Sequence, residues 1–154
     1  DKLVRWLAAH HSQSDAVWLV THKKGAGRQH VRREDILEAL IAHGWIDSLP
    51  RKLDGERTML LIAPRKPESA WSAVNKAIVE RLIAQSRMHP TGLAAVATAK
   101  ANGRWSALDD VEALDMPADL RKAFGKDKTA LNNFEAFPRS VKRGILEWIT
   151  SARR

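Results

Sequence analysis

Two tryptophan-centred stretches hold the residues of this sequence that are best suited to bind a ligand. The first is Gly44-Trp45-Ile46-Asp47, and the second extends from Pro64 to Asn75. Each places an indole beside charged or polar groups at a predicted element boundary. A flat ring, a carboxylate, a guanidinium and an amide can line a pocket for a small polar ligand. The candidate pocket residues are Trp45, Asp47, Arg65, Trp71 and Asn75.

A structural interpretation of the same residues stays equally open. Both indoles could fill the core, and a buried Asn75 would need a hydrogen-bond partner in either case. Asp47 could pair with Arg51, Arg57 or Arg65, the nearby cations. It could instead orient one of them toward a ligand. Among the candidates, Asp47 is the single side chain most suited to a functional role, because the preceding helix is predicted to end before it.

The other residues that could support catalysis lack the spacing that catalysis requires. The six histidines include no His-x-x-x-His pair, and the chain has no cysteine. The adjacent carboxylates Glu34-Asp35 and Asp109-Asp110 suit a helix start and a solvated loop. No Gly-x-Ser-x-Gly elbow is present. We therefore predict no catalytic residue, no metal site and no cofactor, and we expect a protein that is not an enzyme.

A basic loop from Lys23 to Arg28 contains a Gly-x-Gly fragment. The remaining glycines and the Lys-Ser/Thr ending of a P-loop are missing. A plain turn is therefore favoured over a nucleotide site.

Charge and composition predict a basic globular protein. The 26 Lys and Arg against 18 Asp and Glu give a net charge of +8 and a pI near 10.2. Such a field attracts phosphates and nucleic acid. The basic residues are dispersed along the sequence, so we expect nucleic-acid binding to be only weak and non-specific. The length favours one domain over residues 1–154.

Hydrophobic periodicity and turn residues predict a sheet in the first half of the chain. Strands are expected at residues 16–22, 46–52 and 58–63, and helices at 1–11, 33–43 and 70–87. Gly44 is expected to end the second helix, and Leu53-Asp54-Gly55-Glu56 indicates a hairpin. Pro50 should force its strand to an edge or a bulge. Ser69 is the predicted N-cap of the third helix, whose buried stripe would be Trp71, Val74, Ile78 and Leu82.

The second half of the chain is predicted to be helical. Thr91 should cap a helix that ends near Asn102, residues 106–116 should form an ordered loop, and Asp127 should cap a further helix. Pro117 suits the first position of a short helix, and Pro138 should open the last one. The predicted buried stripe of that last helix is Val141, Ile145, Trp148, Ile149 and Ala152. Strands first and helices later favour an α+β fold, with a small, mostly antiparallel sheet packed by helices.

Several motifs in this order resemble the bacterial YdeI/OmpD-associated family, also called bacteriocin-protection proteins. The stretches that carry this resemblance are Val17-Trp18-Leu19-Val20, Gly44-Trp45-Ile46-Asp47, Pro64-Arg65-Lys66-Pro67, Trp71-Ser72-Ala73-Val74-Asn75, Glu80-Arg81-Leu82-Ile83, Arg87-Met88-His89-Pro90-Thr91-Gly92-Leu93, Gly103-Arg104-Trp105 and Leu146-Glu147-Trp148-Ile149 with Ala152-Arg153. The resemblance is expected to cover essentially the whole chain. Arg32 and Ala70 depart from the family pattern, and both ends are expected to be shorter than in the family.

The resemblance implies a role in antimicrobial-peptide resistance or envelope stress, with an outer-membrane porin as partner. We therefore expect a non-enzymatic binding or stress-protection protein that binds another protein or a small polar ligand. A nucleic-acid-associated basic protein and an enzyme acting at the Trp45–Asn75 cleft are the alternatives. The family label implies the periplasm. No signal peptide and no bilayer-spanning apolar run is found, which favours the cytoplasm.

Overall fold

The computed structural model describes residues 2–26 and 30–152. Its elements are, in chain order, α1 (Lys2–Ala9), β1 (Val17–His22), α2 (Arg33–Ala42), β2 (Trp45–Lys52), β3 (Arg57–Pro64), α3 (Ala73–Ala84), α4 (Pro90–Ala101), α5 (Asp109–Ala113), α6 (Ala118–Phe124), α7 (Lys128–Ala136) and α8 (Arg139–Ala152). The predicted α+β fold with a helical C-terminal half is confirmed. Some residues of the predicted elements and motifs lie outside the described ranges: Asp1, Gly27, Arg28 and Arg153.

The three strands form one antiparallel sheet in the order β1-β3-β2. Pro50 lies on the edge strand β2, and the pairing register with β3 shifts between Asp47 and Pro50. Both consequences expected of this proline are therefore present. The hairpin turn is held by Asp54, whose Oδ1 accepts hydrogen bonds from the backbone N–H groups of Glu56 at 2.9 Å and Arg57 at 2.7 Å.

Helices cover one face of the sheet and leave the other open. The buried cluster beneath the sheet combines α1, α2, β2 and β3: Leu7, Ile36, Leu40, Trp45, Leu60 and Ile62. Val17 and Leu19 of β1 pack against it and are partly buried. Residues that alternate with these along β1 point outward, and Trp18 and Val20 are 39% and 45% exposed. A second buried cluster joins α2, α3 and α4 around Trp71.

The C-terminal end of α2 meets the N-terminal end of α4. The His89 N–H donates to the Ala42 carbonyl at 2.9 Å, and the Thr91 hydroxyl donates to the His43 carbonyl at 3.0 Å. Gly92 allows this approach, because a Cβ at that position would lie 2.1 Å from the Ala42 carbonyl oxygen. Gly44 ends α2 with φ +77°, as predicted.

The predicted start of the third helix is wrong, and its predicted buried stripe is confirmed at Trp71, Ile78 and Leu82 but wrong at Val74. Helix α3 begins after Ser72, whose hydroxyl accepts from the Asn75 N–H, and not after Ser69. The Trp71 N–H donates instead to the Arg104 carbonyl at 3.3 Å, so Trp71 is tied to a loop before the helix begins. Its indole is nevertheless buried. Val74 is 64% exposed, and Val79 takes its place in the core.

The cap of α4 also differs from the prediction. The side chain of His89 accepts from the Thr91 N–H, and Pro90 occupies the first turn. Because proline restricts the preceding residue to extended backbone, His89 is the natural N-cap. Thr91 instead directs its hydroxyl to the end of α2.

Three further corrections concern the C-terminal half. Residues 109–113 form the short helix α5 where a loop was predicted, and Pro117 is the N-cap of α6 and not its first residue. In α8 the predicted stripe is wrong, because Trp148 is 71% exposed and Leu146 is the buried residue. The cap at Asp127 is confirmed, since its carboxylate accepts from the Ala130 N–H at 2.9 Å. The third buried cluster lies here: Leu108, Val111, Phe134 and Leu146.

Within the described ranges, no helix has the length and apolar character that crossing a membrane requires.

Candidate functional site

Arg65 and Trp71 form the one close contact that the structure makes among the five predicted pocket residues. Arg65 directly follows β3, and its N–H donates to the Gly44 carbonyl at 2.9 Å. Its guanidinium lies over the Trp71 indole, with Cζ 3.8 Å from the ring centroid. The Nη2 donates to the Ala70 carbonyl at 2.6 Å. The stack therefore joins the end of β3 to the segment that precedes α3.

The guanidinium of Arg65 is poorly satisfied for a buried cation. Its Nε and Nη1 are buried and have no hydrogen-bond partner among the residues described. Burial lowers the pKa of Arg65 to about 10, while the negative charge of Asp47 acts in the opposite direction. Arg65 thus stays protonated at neutral pH, and two of its three guanidinium nitrogens have no partner among the described residues.

Asp47 binds a cation that the sequence did not indicate. Its carboxylate forms an ion pair with Arg33 at the start of α2. The three expected partners are engaged elsewhere: Arg57 pairs with Asp54, Arg51 lies over the Trp18 ring at 5.4 Å, and Arg65 stacks on Trp71. The predicted pairing of Asp47 with Arg51, Arg57 or Arg65 is therefore corrected to Arg33.

Trp45 lies in the core beneath the sheet, away from the Arg65–Trp71 stack. It is 1% exposed and meets the Trp6 ring edge-on, with ring centroids 5.5 Å apart. Its Nε1 is buried without a partner in the described part of the chain. Asn75 is half-buried in the first turn of α3. The five predicted residues are thus distributed over four places in the fold.

A small cavity adjoins the Arg65–Trp71 stack. Its volume is about 80 Å³, and Arg65, Lys66, Trp71 and Thr98 contribute to its walls together with Pro67 and α4 alanines. Of the five predicted residues, Arg65 and Trp71 line this cavity, and Trp45, Asp47 and Asn75 are not among the described residues around it.

A larger candidate binding surface than this cavity was not predicted from the sequence. A groove of about 520 Å³ lies between α1 and β1. It is lined by Lys2, Leu3, Trp6, Val17, Trp18, Leu19, Val20 and Ile62. The sequence signal was the unbroken apolar run of β1, in which the outward positions Trp18 and Val20 are as apolar as the inward ones.

The free edge of β1 presents backbone hydrogen-bonding groups along this groove. The Lys23 N–H donates to the Glu56 carbonyl at 2.8 Å, on the side of β3. Backbone groups alternate in direction along a strand, so residues an even number of positions before Lys23 point toward β3 as it does. Trp18 and Val20 lie an odd number of positions before it, so their backbone groups point away from β3. The imidazole of His30 contacts the His22 carbonyl at 2.8 Å, which confirms the outward direction of His22.

Three histidine rings meet near the junction of α2 and α4. The His43 and His89 rings stack with centroids 4.9 Å apart, and the His11 ring lies 5.8 Å from that of His89. Partial burial lowers the pKa of His89, and the His43 and His11 rings lower it further. No group of three or more metal-ligating side chains is found in the described ranges.

Two family sequence models match successive parts of the chain. The chain belongs to a family described as a domain of unknown function, DUF8412, whose model matches residues 1–95. The model of the family described as bacteriocin-protection, YdeI or OmpD-associated, matches residues 113–154. No curated protein and no solved structure matches the chain.

These matches limit the resemblance that the sequence motifs suggested. The likeness to the bacteriocin-protection family is confirmed for residues 113–154, which include the motif around Trp148. The motifs from Val17 to Leu93 fall in the part matched by the other family. The organisation as one domain over residues 1–154 stays a prediction.

Proposed function

We propose that the protein is a non-enzymatic peptide-binding protein with a protective role, and that it captures an extended segment along the free edge of β1. The observation that carries this proposal is the coincidence of two features at one place. The open edge of a sheet and an apolar groove of about 520 Å³ both lie beside β1.

The edge strand specifies the conformation of the bound segment. An added strand takes its main-chain hydrogen bonds from outward N–H and C=O groups, and its alternate side chains enter neighbouring pockets. Trp18 and Val20 supply those groups here. Leu3 and Trp6 of α1 form the facing wall. An extended peptide with apolar residues at every second position fits both requirements.

The charge around the groove favours acidic ends on that peptide. Lys2 lines the groove, Arg51 lies over Trp18, and the described residues that line the groove include no carboxylate. Acidic residues flanking the apolar core of a peptide would meet these cations, which accelerates association and fixes register.

The C-terminal likeness supports a protective role for such binding. A family described as bacteriocin-protection matches residues 113–154. A protein that protects against a peptide can do so by binding it, and no chemical step is then required. The porin partner and the cytoplasmic location remain expectations of the sequence comparison and do not enter this proposal.

The nucleic-acid alternative is weakened by the engagement of the basic side chains. Ion pairs hold six arginines: Arg32, Arg33, Arg57, Arg81, Arg87 and Arg143. We expect DNA and RNA to bind weakly, without sequence preference, and to dissociate as salt rises. Titration with duplexes of different sequence across a salt series checks this expectation. Tight, sequence-selective binding at physiological salt would contradict it.

Fluorescence anisotropy with labelled octapeptides tests the peptide proposal. One peptide alternates apolar and polar residues between acidic ends, a second has the same core with basic ends, and a third has the alternation scrambled. We expect the first to bind most tightly. Trp18→Ala should weaken it by at least about tenfold, as expected for an aromatic hot spot.

Trp148→Ala is the matched control, because it removes another exposed indole far from β1 along the chain. It should leave the affinity unchanged. Equal loss in both variants, or equal binding of the scrambled peptide, would contradict the proposal. A stable dimer that Trp18→Ala dissociates in sedimentation experiments would show that a second copy occupies the edge, and would also contradict it.

A further inference from the structure

The cavity beside Arg65 combines an under-satisfied cation with a wall that carries no negative charge. The guanidinium of Arg65 lies over Trp71 and makes one hydrogen bond, to the Ala70 carbonyl, within the described residues. Buried polar groups in folded proteins almost always have partners, so an orphaned pair of nitrogens calls for an explanation. Asp47, whose negative charge acts on Arg65, is engaged by Arg33.

The cavity supplies further groups that suit an anion. Lys66 and Thr98 contribute to its walls, which adds a second cation and a hydroxyl donor. Its remaining walls are the Trp71 indole, Pro67 and α4 alanines, and the part of the chain that the structure describes places no carboxylate in its lining. The indole is a rigid surface over which the guanidinium can rotate, and the positive charge of the guanidinium stays favourably placed over the ring.

The size of the cavity restricts the ligand to a small group. A cavity needs a volume of about 10–15 Å³ to hold one water molecule. The volume of about 80 Å³ therefore admits a few heavy atoms and excludes a nucleotide.

We propose that this cavity binds a small oxyanion, with the guanidinium of Arg65 as its principal partner and Lys66 and Thr98 as supporting groups. Binding in this way requires a rotation of the Arg65 side chain that turns Nε or Nη1, both sealed from solvent in this structure, toward the cavity. An oxyanion in the cavity then accepts a charge-assisted hydrogen bond from whichever of these nitrogens faces it. The site is separate from the groove along β1 and does not depend on the peptide-binding proposal.

Calorimetric titration with inorganic phosphate and with acetate tests the site, with chloride at equal ionic strength as the reference. We expect one saturable site for an oxyanion and none for chloride, together with a rise in the thermal unfolding midpoint. The relative affinities of phosphate and acetate show whether a phosphate or a carboxylate group is preferred. Absence of saturable binding for both anions would overturn the proposal.

Variants at the cavity distinguish a built site from general attraction to a basic protein. Arg65→Met keeps the length of the side chain and should abolish binding. Thr98→Val keeps its shape and should weaken binding several-fold, as should Lys66→Ala. Lys126→Ala removes one exposed charge elsewhere and should change nothing. Loss of binding in Lys126→Ala to the same extent, or retained binding in Arg65→Met, would overturn the proposal. If Arg65→Met fails to fold, the Thr98 and Lys66 variants decide the question in the same way.

Discussion

Two regions of the protein differ in how their side chains are buried. The first is the sheet with its helices, residues 2–105, and the second is the C-terminal helices, residues 106–152. Of the eight large side chains that are buried most completely in the described chain, seven belong to the first region and only Leu146 to the second. Polar contacts also join the helices of the second region. Glu112 of α5 accepts hydrogen bonds from the Arg143 Nε at 3.1 Å and Nη2 at 2.8 Å.

This difference predicts which kinds of change each region tolerates. In the first region the helices and strands are in close contact, so added or removed volume should dominate the free energy of unfolding. In the second, fewer side chains are sealed from water. Charge, pH and helix propensity should therefore matter more there. Substitutions of the same type in the two regions test this contrast directly.

The largest contrast is expected between two tryptophans. Trp71→Ala should lower the free energy of unfolding by about 3–5 kcal/mol, because it empties a fully buried aromatic site. Trp148→Ala removes an indole that is 71% exposed, and its effect should stay within about 0.5 kcal/mol. Chemical denaturation of both variants measures the difference. A cost below about 1 kcal/mol for Trp71→Ala would place its indole on a binding surface.

A pair of glycines gives the next contrast. Gly92→Ala should cost about 3 kcal/mol, at the upper end for overpacking, because the new Cβ would meet a backbone carbonyl of α2 at 2.1 Å. Backbone atoms cannot rotate away as a side chain can. Thermal and urea unfolding of the variant check this. A loss of less than about 0.5 kcal/mol would mean that α2 and α4 can separate freely.

The ion pair at α5 and α8 should give a smaller, pH-dependent effect. Hydrogen bonds from Arg143 lower the pKa of Glu112. Its contribution is therefore complete above the unfolded pKa, about 4.3, and is lost as the pH falls through the folded pKa. Glu112→Gln should cost about 1–2 kcal/mol at pH 7.

The same variant should be flatter than the parent between pH 5 and pH 3. Denaturant titrations across about pH 3–7 measure both quantities. Parallel acid limbs for parent and variant would show that the pair does not stabilise the C-terminal helices.

The smallest effect should have the opposite sign. Gly144 lies inside α8, and a Cβ there would meet no atom within 4 Å. Gly144→Ala should raise the free energy of unfolding by about 0.5–1 kcal/mol, because alanine loses less backbone entropy than glycine in a helix. The comparison with Gly92→Ala uses one chemical change in two helices. Destabilisation by Gly144→Ala would mean that α8 packs more tightly than its exposure indicates.

Local signals in the sequence were sufficient for much of the fold. The edge position of Pro50, the turn at Asp54, the end of α2 at Gly44 and the cap at Asp127 each follow from backbone chemistry within a few residues. Such features do not depend on what packs against them. They could therefore be predicted from the sequence.

Features that depend on distant partners were not predictable in this way. Helical spacing placed Val74 and Trp148 on apolar stripes, but spacing cannot show whether another element covers them. Both are exposed. For the candidate site, the contact between Arg65 and Trp71 could be anticipated, because the two residues lie close together in the sequence. The partner of Asp47 is Arg33, which is 14 residues away on α2. Nothing in the local sequence selects Arg33 over the arginines that lie nearer to Asp47 in the sequence.

The junction of α2 and α4 has a consequence for how the protein opens. If α4 moved away, the carbonyls of Ala42 and His43 would lose their partners, and so would the His89 N–H and the Thr91 hydroxyl. The negative end of one helix dipole also meets the positive end of the other. Separating the two helices therefore leaves unpaired groups on both sides. The amides of α2 and α4 should therefore exchange with solvent hydrogen as a single cooperative unit. The segment between the two helices in the sequence, which includes β2 and β3, is held in place at both of its ends.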